Sequence, residues 1–160
     1  KKYSKWIDYI VSEPDDGQSD AINKGWSLAT GDWTNWINSD DIMPPNTLFD
    51  VGHIASKVSK NTLIVGDVLN FNSNERKIIN QQNINYDDFI RFWSPKCIWH
   101  QPGIFISLEI IKKIGDLDKR LHFAMDYDLL CRLLKVCDVY YSENIYSYFR
   151  FYNTSLILIS

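Results

Sequence analysis

Cysteine, histidine, glycine and proline are all scarce in this chain of 160 residues, and the shortages remove whole classes of function. The three cysteines stand at 97, 131 and 137, with no CxxC pair. The three histidines, His53, His100 and His122, show no paired spacing and no HExxH pattern. A zinc centre is therefore not expected. The odd cysteine count argues for a reducing compartment rather than a disulfide framework. The seven glycines form no GxGxxG or GKT/S stretch, which removes the dinucleotide and P-loop readings. Excess positive charge is also missing. Seventeen Lys and Arg against 20 Asp and Glu leave a net charge of −3, so no nucleic-acid partner is expected.

Long apolar runs are absent as well. The tail Ser155–Ser160 is far too short to span a bilayer and reads as an edge strand or a cut segment. The start, Lys1-Lys2-Tyr3-Ser4-Lys5, leads into only a short apolar run, so no signal peptide is read there. The expected location is the cytoplasm, or the cytoplasmic face of a membrane. No repeat, low-complexity tract or linker divides the sequence, and residues 1–160 are expected to form a single domain.

What the chain does have is apolar and aromatic content. Hydrophobic residues make up 45% and aromatics 14%, with six Trp and nine Tyr, enough for a real core. Strands are expected over Ile7–Ser12, Trp33–Ile37, Thr62–Phe71, Arg76–Ile79, Gly103–Ser107, Val139–Tyr141 and Ile145–Phe151. Helices are expected over Ser19–Ala29 with Ser19 as N-cap, after a cap at Asn46, over Tyr86–Trp93 until Pro95, over Leu108–Ile114, and over Asp126–Val136. The order strand, helix, strand at the start predicts a parallel crossover unit. The fold class is therefore mixed α/β.

One stretch carries most of the chemistry. Trp33-Thr34-Asn35-Trp36-Ile37 is a β-prone run, and it ends in Asn38-Ser39-Asp40-Asp41. Carboxylates at the carboxyl end of a strand sit where α/β sheets bind ligands. Before it stands Ser12-Glu13-Pro14-Asp15-Asp16-Gly17-Gln18-Ser19-Asp20-Ala21-Ile22-Asn23-Lys24-Gly25. After it come His100-Gln101-Pro102-Gly103-Ile104-Phe105-Ile106 and Ala124-Met125-Asp126-Tyr127-Asp128-Leu129-Leu130. Four such pieces in this order resemble the inverting nucleotide-sugar glycosyltransferases of family 2, over about residues 10–150.

That resemblance implies a GT-A-like mixed sheet flanked by helices. It implies transfer of a sugar from a nucleotide-sugar donor to a polysaccharide or lipid-linked acceptor, with Mn²⁺ or Mg²⁺ as cofactor. By carry-over, Asp41 contacts the metal, and Asp40 lies near the ribose or behind the metal contact. Gln18, Asp20, Asn23 and Lys24 shape the donor pocket. His100 and Gln101 lie near the acceptor or diphosphate, and Asp126 is the general base. His53 and His122 are expected to be structural, and Asp128 a first-turn helix residue. Two departures stand out: relatives carry Asp where this chain has Asn38, and an acidic residue where it has Met125. The resemblance begins at the family's third strand. A chain without the base-binding strands is expected to be the C-terminal two-thirds of a catalytic domain, with an exposed sheet edge open to self-association. The alternative is an inactive remnant that binds sugar or a partner.

Overall fold

The computed structural model of the chain describes residues 4–94 and 97–152. Among the described residues five α-helices and five strands follow one another: α1 Gln18–Leu28, β1 Trp33–Thr34, α2 Thr47–Ala55, β2 Thr62–Phe71, β3 Arg76–Ile79, α3 Tyr86–Phe89, β4 Ile104–Ser107, α4 Leu108–Ile114, α5 Met125–Leu134 and β5 Asp138–Arg150.

β2 is the spine of the sheet. Its first seven residues are all buried, as expected of a strand covered on both faces. β5 runs parallel along one edge of β2. The other edge is shared: β4 pairs antiparallel at Ile64 and Val65, and β3 pairs antiparallel from Val68 to Phe71. β1 extends the sheet beyond β4, again antiparallel, with Trp33 opposite Ser107 and Thr34 opposite Ile106.

Side chains alternate across this sheet and build two cores. Leu63, Val65, Ile104 and Ile106 face α1, α4 and α5, where Trp26, Ile110, Ile111, Leu129 and Leu133 close over them. Ile64, Phe105 and Tyr146 face the opposite way, against Val51 and Ile54 of α2. The sheet is thus covered by helices on both faces.

Several expectations are corrected. Residues 7–12 form no strand, because among the described residues no ladder pairs with them. Tyr9 and Ile10 of this segment are 62% and 69% exposed. The parallel crossover is therefore not formed, and the partner of β1 is the distant, antiparallel β4. The ladder keeps only Trp33 and Thr34 of the run expected to Ile37. α3 stops at Phe89 rather than Trp93, and Pro95 lies outside the described residues, as does the tail 155–160. The two last strands are one, Asp138–Arg150, whose register shifts opposite Gly66 and Asp67. α1 begins one residue earlier than expected, after Gly17 at φ 101°, a left-handed position suited to glycine. Asn46 holds the cap position of α2 but is itself left-handed and its side chain makes no cap bond.

Helix α4 is bounded as the sequence reads. The Ser107 hydroxyl accepts from the Ile110 N–H at 3.2 Å, and Gly115 at φ 92° ends the helix.

Gly66 tests how tightly β2 and β5 meet. A Cβ there would stand 2.3 Å from the Tyr146 ring and 2.8 Å from the Asn144 carbonyl. Gly66→Ala is expected to cost about 1–3 kcal/mol or more, since neither backbone nor buried ring can yield cheaply. An unchanged urea midpoint would contradict this packing.

Candidate active site

Three parts of the chain that are far apart in sequence converge at one end of the sheet. The first is the acidic turn, closed by the Asp41 N–H donating to the Asn38 carbonyl at 3.1 Å. The second is the start of α1, where Gln18 Nε2 donates to Asn38 Oδ1 at 3.0 Å. The third is the start of α5. There the Ser19 hydroxyl donates to Met125 Sδ at 2.8 Å, both residues being buried. Ser19 is thus not a cap but a strut between two helix starts. Met125 takes the place of the expected acidic residue by accepting that hydroxyl.

Asp41 stands against the end of β5. Its Oδ1 accepts from the Arg150 N–H at 3.1 Å. Its Oδ2 is buried with no hydrogen-bond partner. Burial pushes the carboxyl above the ordinary range and the neighbouring Asp40 adds to this, while the Arg150 N–H opposes it. Ile42 next to it bridges Tyr148, which fixes the turn against β5. Asp40 is half-buried in the same turn.

Asp126 is the second residue of α5, and the cap position belongs to Ala124. Its Oδ1 accepts from the Tyr127 N–H at 2.8 Å. The carboxylate lines a narrow crevice with Trp36, Trp99 and Gln101. Burial raises its pKa above the ordinary carboxylate value, the direction that suits a general base. Asp128, two residues on, pairs with Arg132 at 2.9 Å as an ordinary helix-surface ion pair.

Gln101 and His100 are held by the core. Gln101 Nε2 donates to the Trp36 carbonyl at 2.8 Å, which ties the start of β4 to the acidic run. The His100 N–H donates to Gln81 Oε1, and Gln81 Nε2 donates to the Gly66 carbonyl at 2.7 Å. The His100 ring lies 5.2 Å from that of Phe149, with Nε2 3.5 Å from Asn70 Nδ2. Burial lowers the His100 pKa to about 4. A lowered folded value means the protein keeps this contribution above the unfolded value near 6.5 and loses it as pH falls towards 4. The loss over that window is expected to reach at most about 3 kcal/mol. Urea midpoints at pH 7 and 4.5 check this, and the difference should shrink in His100→Gln.

Asp20, Asn23 and Lys24 lie on α1 away from this convergence. The buried Asp20 carboxylate takes Lys119 at 2.5 Å, the Asp16 N–H at 3.2 Å and Lys24 at 3.2 Å. Lys119 first, and then the Asp16 N–H, hold its pKa down at about 2. Asn23 exchanges two bonds with the Leu117 backbone, at 2.9 and 3.0 Å. Lys24 also reaches Glu13 at 2.9 Å. These residues fasten α1 to the segments before it and after α4. Trp36, Ser19 and Met125 stand inside the quoted motifs without a site role of their own, and Trp99 and Gln81 carry no signal in the sequence.

Among the described residues, no three His, Cys, Asp or Glu side chains converge as a complete metal cage. The donor set still fits Mn²⁺ or Mg²⁺. Such ions are commonly held by one or two carboxylates with substrate phosphates completing the shell, and Asp41 offers a buried, unpartnered oxygen.

A mixed sheet with helices on both faces and an acidic turn at its edge defines the GT-A class of nucleotide-sugar transferase folds. The structures it resembles agree. S. aureus TarS 1-349 in complex with UDP superposes with a TM-score of 0.71 at 16% identity, over 94% of this chain and 46% of that one. The profile of glycosyl transferase family 2 matches residues 1–123, and the chain belongs to that family. An "Uncharacterized glycosyltransferase" of Rickettsia felis is 27% identical over 94% of this chain and 26% of its own length. A "PGL/p-HBAD biosynthesis glycosyltransferase" of Mycobacterium tuberculosis is 28% identical over 77% of this chain and 46% of its own length. The chain thus spans about a quarter to a half of the relatives it matches. No helix among the described residues is long and apolar enough to cross a membrane.

Proposed function

We propose that this chain carries the reacting centre of a metal-dependent, inverting sugar transfer from a nucleotide-sugar donor to a glycan or lipid-linked acceptor. One observation carries the reading. The acidic turn and Asp126 are drawn to one place by Gln18–Asn38 at 3.0 Å and Ser19–Met125 at 2.8 Å. A donor-holding carboxylate and a partly desolvated base, each tied to the start of α1, are what a single displacement needs.

The chemistry follows from these groups. The acceptor hydroxyl attacks the anomeric carbon, the bond to the diphosphate breaks, and the hydroxyl proton passes to Asp126. Attack opposite the leaving group inverts the anomeric centre. Bound Mn²⁺ or Mg²⁺ supplies charge neutralisation at the departing diphosphate. Asp41 would hold that ion, and Asp40 would meet the ribose. Gln18 orients the turn through Asn38, and Gln101 holds the Trp36 backbone at the wall of the crevice. Asp20, Asn23 and Lys24 act at one remove, by fixing the helix that carries Gln18 and Ser19. The UDP bound to TarS supports a uridine nucleotide as the first to try.

The test is release of nucleoside diphosphate from a panel of UDP- and GDP-sugars with Mn²⁺, with and without oligosaccharide acceptors. Release that needs Mn²⁺ and both Asp41 and Asp126 is the expected result. Release indifferent to all three would remove the proposal.

A further inference from the structure

The edge of β2 that β4 and β3 share has a gap between them. Among the described residues, β4 pairs as far as Val65 and β3 begins at Val68, so Gly66 and Asp67 have no strand beside them there. Gln81, two residues past β3, fills the gap. Its backbone N–H donates to Asp67 Oδ1 at 3.2 Å and its Nε2 to the Gly66 carbonyl at 2.7 Å, while its Oε1 accepts from the His100 N–H. Gln81 is 1% exposed, so its side chain acts as a buried rung between β2 and the segment that leads into β4.

That segment lies hard against the rung. A Cβ at Gly103 would stand 2.5 Å from Gln81 Nε2 and 2.8 Å from the Gly66 carbonyl. The Gly103 N–H donates to the His100 carbonyl at 3.1 Å and closes the short turn Gln101–Gly103. Trp99 and Gln101, on either side of His100, line the crevice with Trp36 and Asp126. One amide therefore holds the residue between two walls of the crevice. The chemistry suits an amide. The Gly66 carbonyl needs a donor and the His100 N–H an acceptor, and an amide offers both at one end without charge. Buried this deeply, neither backbone group has water as a substitute.

Resting on the sugar-transfer reading, we propose that Gln81 is a positioning residue: its amide sets where Trp99 and Gln101 stand beside Asp126, and so the geometry in which the acceptor hydroxyl meets the base. Gln81 touches no reactant and acts through the His100 backbone.

Gln81→Glu makes this contact switchable. A protonated carboxyl donates to the Gly66 carbonyl and accepts from the His100 N–H, as the amide does, whereas an ionised one turns a lone pair on that carbonyl. Burial and the Asp67 carboxylate favour the protonated form, so the contact breaks towards alkaline pH. Asp67, Tyr141 bonded to it at 2.8 Å, and His100 are the titratable groups around this position. The parent, followed over the same range, cancels their own titration. Fluorine NMR of the fluorotryptophan-labelled chain reports on its six Trp, with Trp99 assigned by its loss in Trp99→Phe. Between about pH 6 and pH 9 the Trp99 signal of Gln81→Glu should leave the parent's position, and kcat relative to the parent should fall about 10–100-fold, both reversibly. The donor KM and the stabilisation by UDP with Mn²⁺ should stay those of the parent, which a general loss of folding would not allow. Gln81→Met can neither donate nor accept, and should show the displaced signal and the lowered kcat at every pH. Should it fail to fold, Gln81→Glu carries the test alone. An unmoved Trp99 signal overturns the proposal, as does a displaced signal with undiminished relative kcat. Failure of Gln81→Glu to fold at the acid end also overturns it, since the carboxyl then does not replace the amide. A parent that releases no nucleoside diphosphate from any donor defeats the transfer reading instead, and the Trp99 signal then decides whether Gln81 holds the crevice wall.

Discussion

Asp126→Asn is expected to lower the rate of sugar transfer by about 10²–10⁴-fold, the range of a positioned general base, while leaving nucleotide binding intact. The geometry explains why the loss should be chemical rather than structural. Asp126 does not cap its helix, since Ala124 holds that position. Its carboxylate accepts from backbone N–H, Tyr127 at 2.8 Å among them, and an amide oxygen accepts there equally. Asn keeps the volume and the bond but cannot take a proton. The raised pKa adds a second signature. The base must be ionised to act, so kcat/KM should fall as pH drops through a value above the ordinary carboxylate range. That acidic limb should vanish in Asp126→Asn. Comparing single-turnover transfer and nucleotide-induced melting shifts separates the two effects. Full activity in the variant would return Asp126 to a role in the helix alone.

The parts of the fold that depend on local signals were legible in the sequence. β2 and β3 carry the expected bounds because an apolar run and the turn Asn72–Glu75 mark both. α4 does so because Ser107 caps it and Gly115 ends it. What failed was pairing. Residues 7–12 have strand composition, but a strand exists only against a partner backbone, and composition names no partner. β1 met β4, a partner far along the chain. A periodic pattern cannot report that distance. Two late strands, Val139–Tyr141 and Ile145–Phe151, are expected, whereas β5 absorbs residues 142–144 at its register shift beside Gly66.

The site divides in the same way. The motif residues were found by type and order, but their physical duties came only from the structure. Asp20, Asn23 and Lys24 are donor-pocket residues by resemblance, and the structure adds their partners Lys119, Leu117 and Glu13. Met125 looked like a lapse from the family pattern, yet its sulfur closes the bond that joins α1 to α5. Neither could be read from spacing. A methionine announces no partner, and Ser19 sits 106 positions away from it.

Asp41→Asn is expected to abolish the joint stabilisation by Mn²⁺ and UDP. Ligands that bind only the folded chain stabilise it, so at about a hundredfold over Kd the pair should add roughly 2.7 kcal/mol. For a domain of this size that corresponds to a melting shift of roughly 5–10 °C. The shift should exceed that of either ligand alone, because the ion would be held by Asp41 together with the diphosphate. Asparagine offers one neutral oxygen in place of a carboxylate, which a hard divalent ion accepts poorly. The unliganded variant supplies the control. In the parent, burial disfavours the charged form of Asp41, and its Oδ2 has no partner to offset this. Removing that charge should leave the unliganded melting temperature unchanged or raised. A variant that keeps its stability but loses the joint shift assigns Asp41 to the metal. A variant that melts early, or that responds to Mn²⁺ and UDP as the parent does, would place the ion elsewhere.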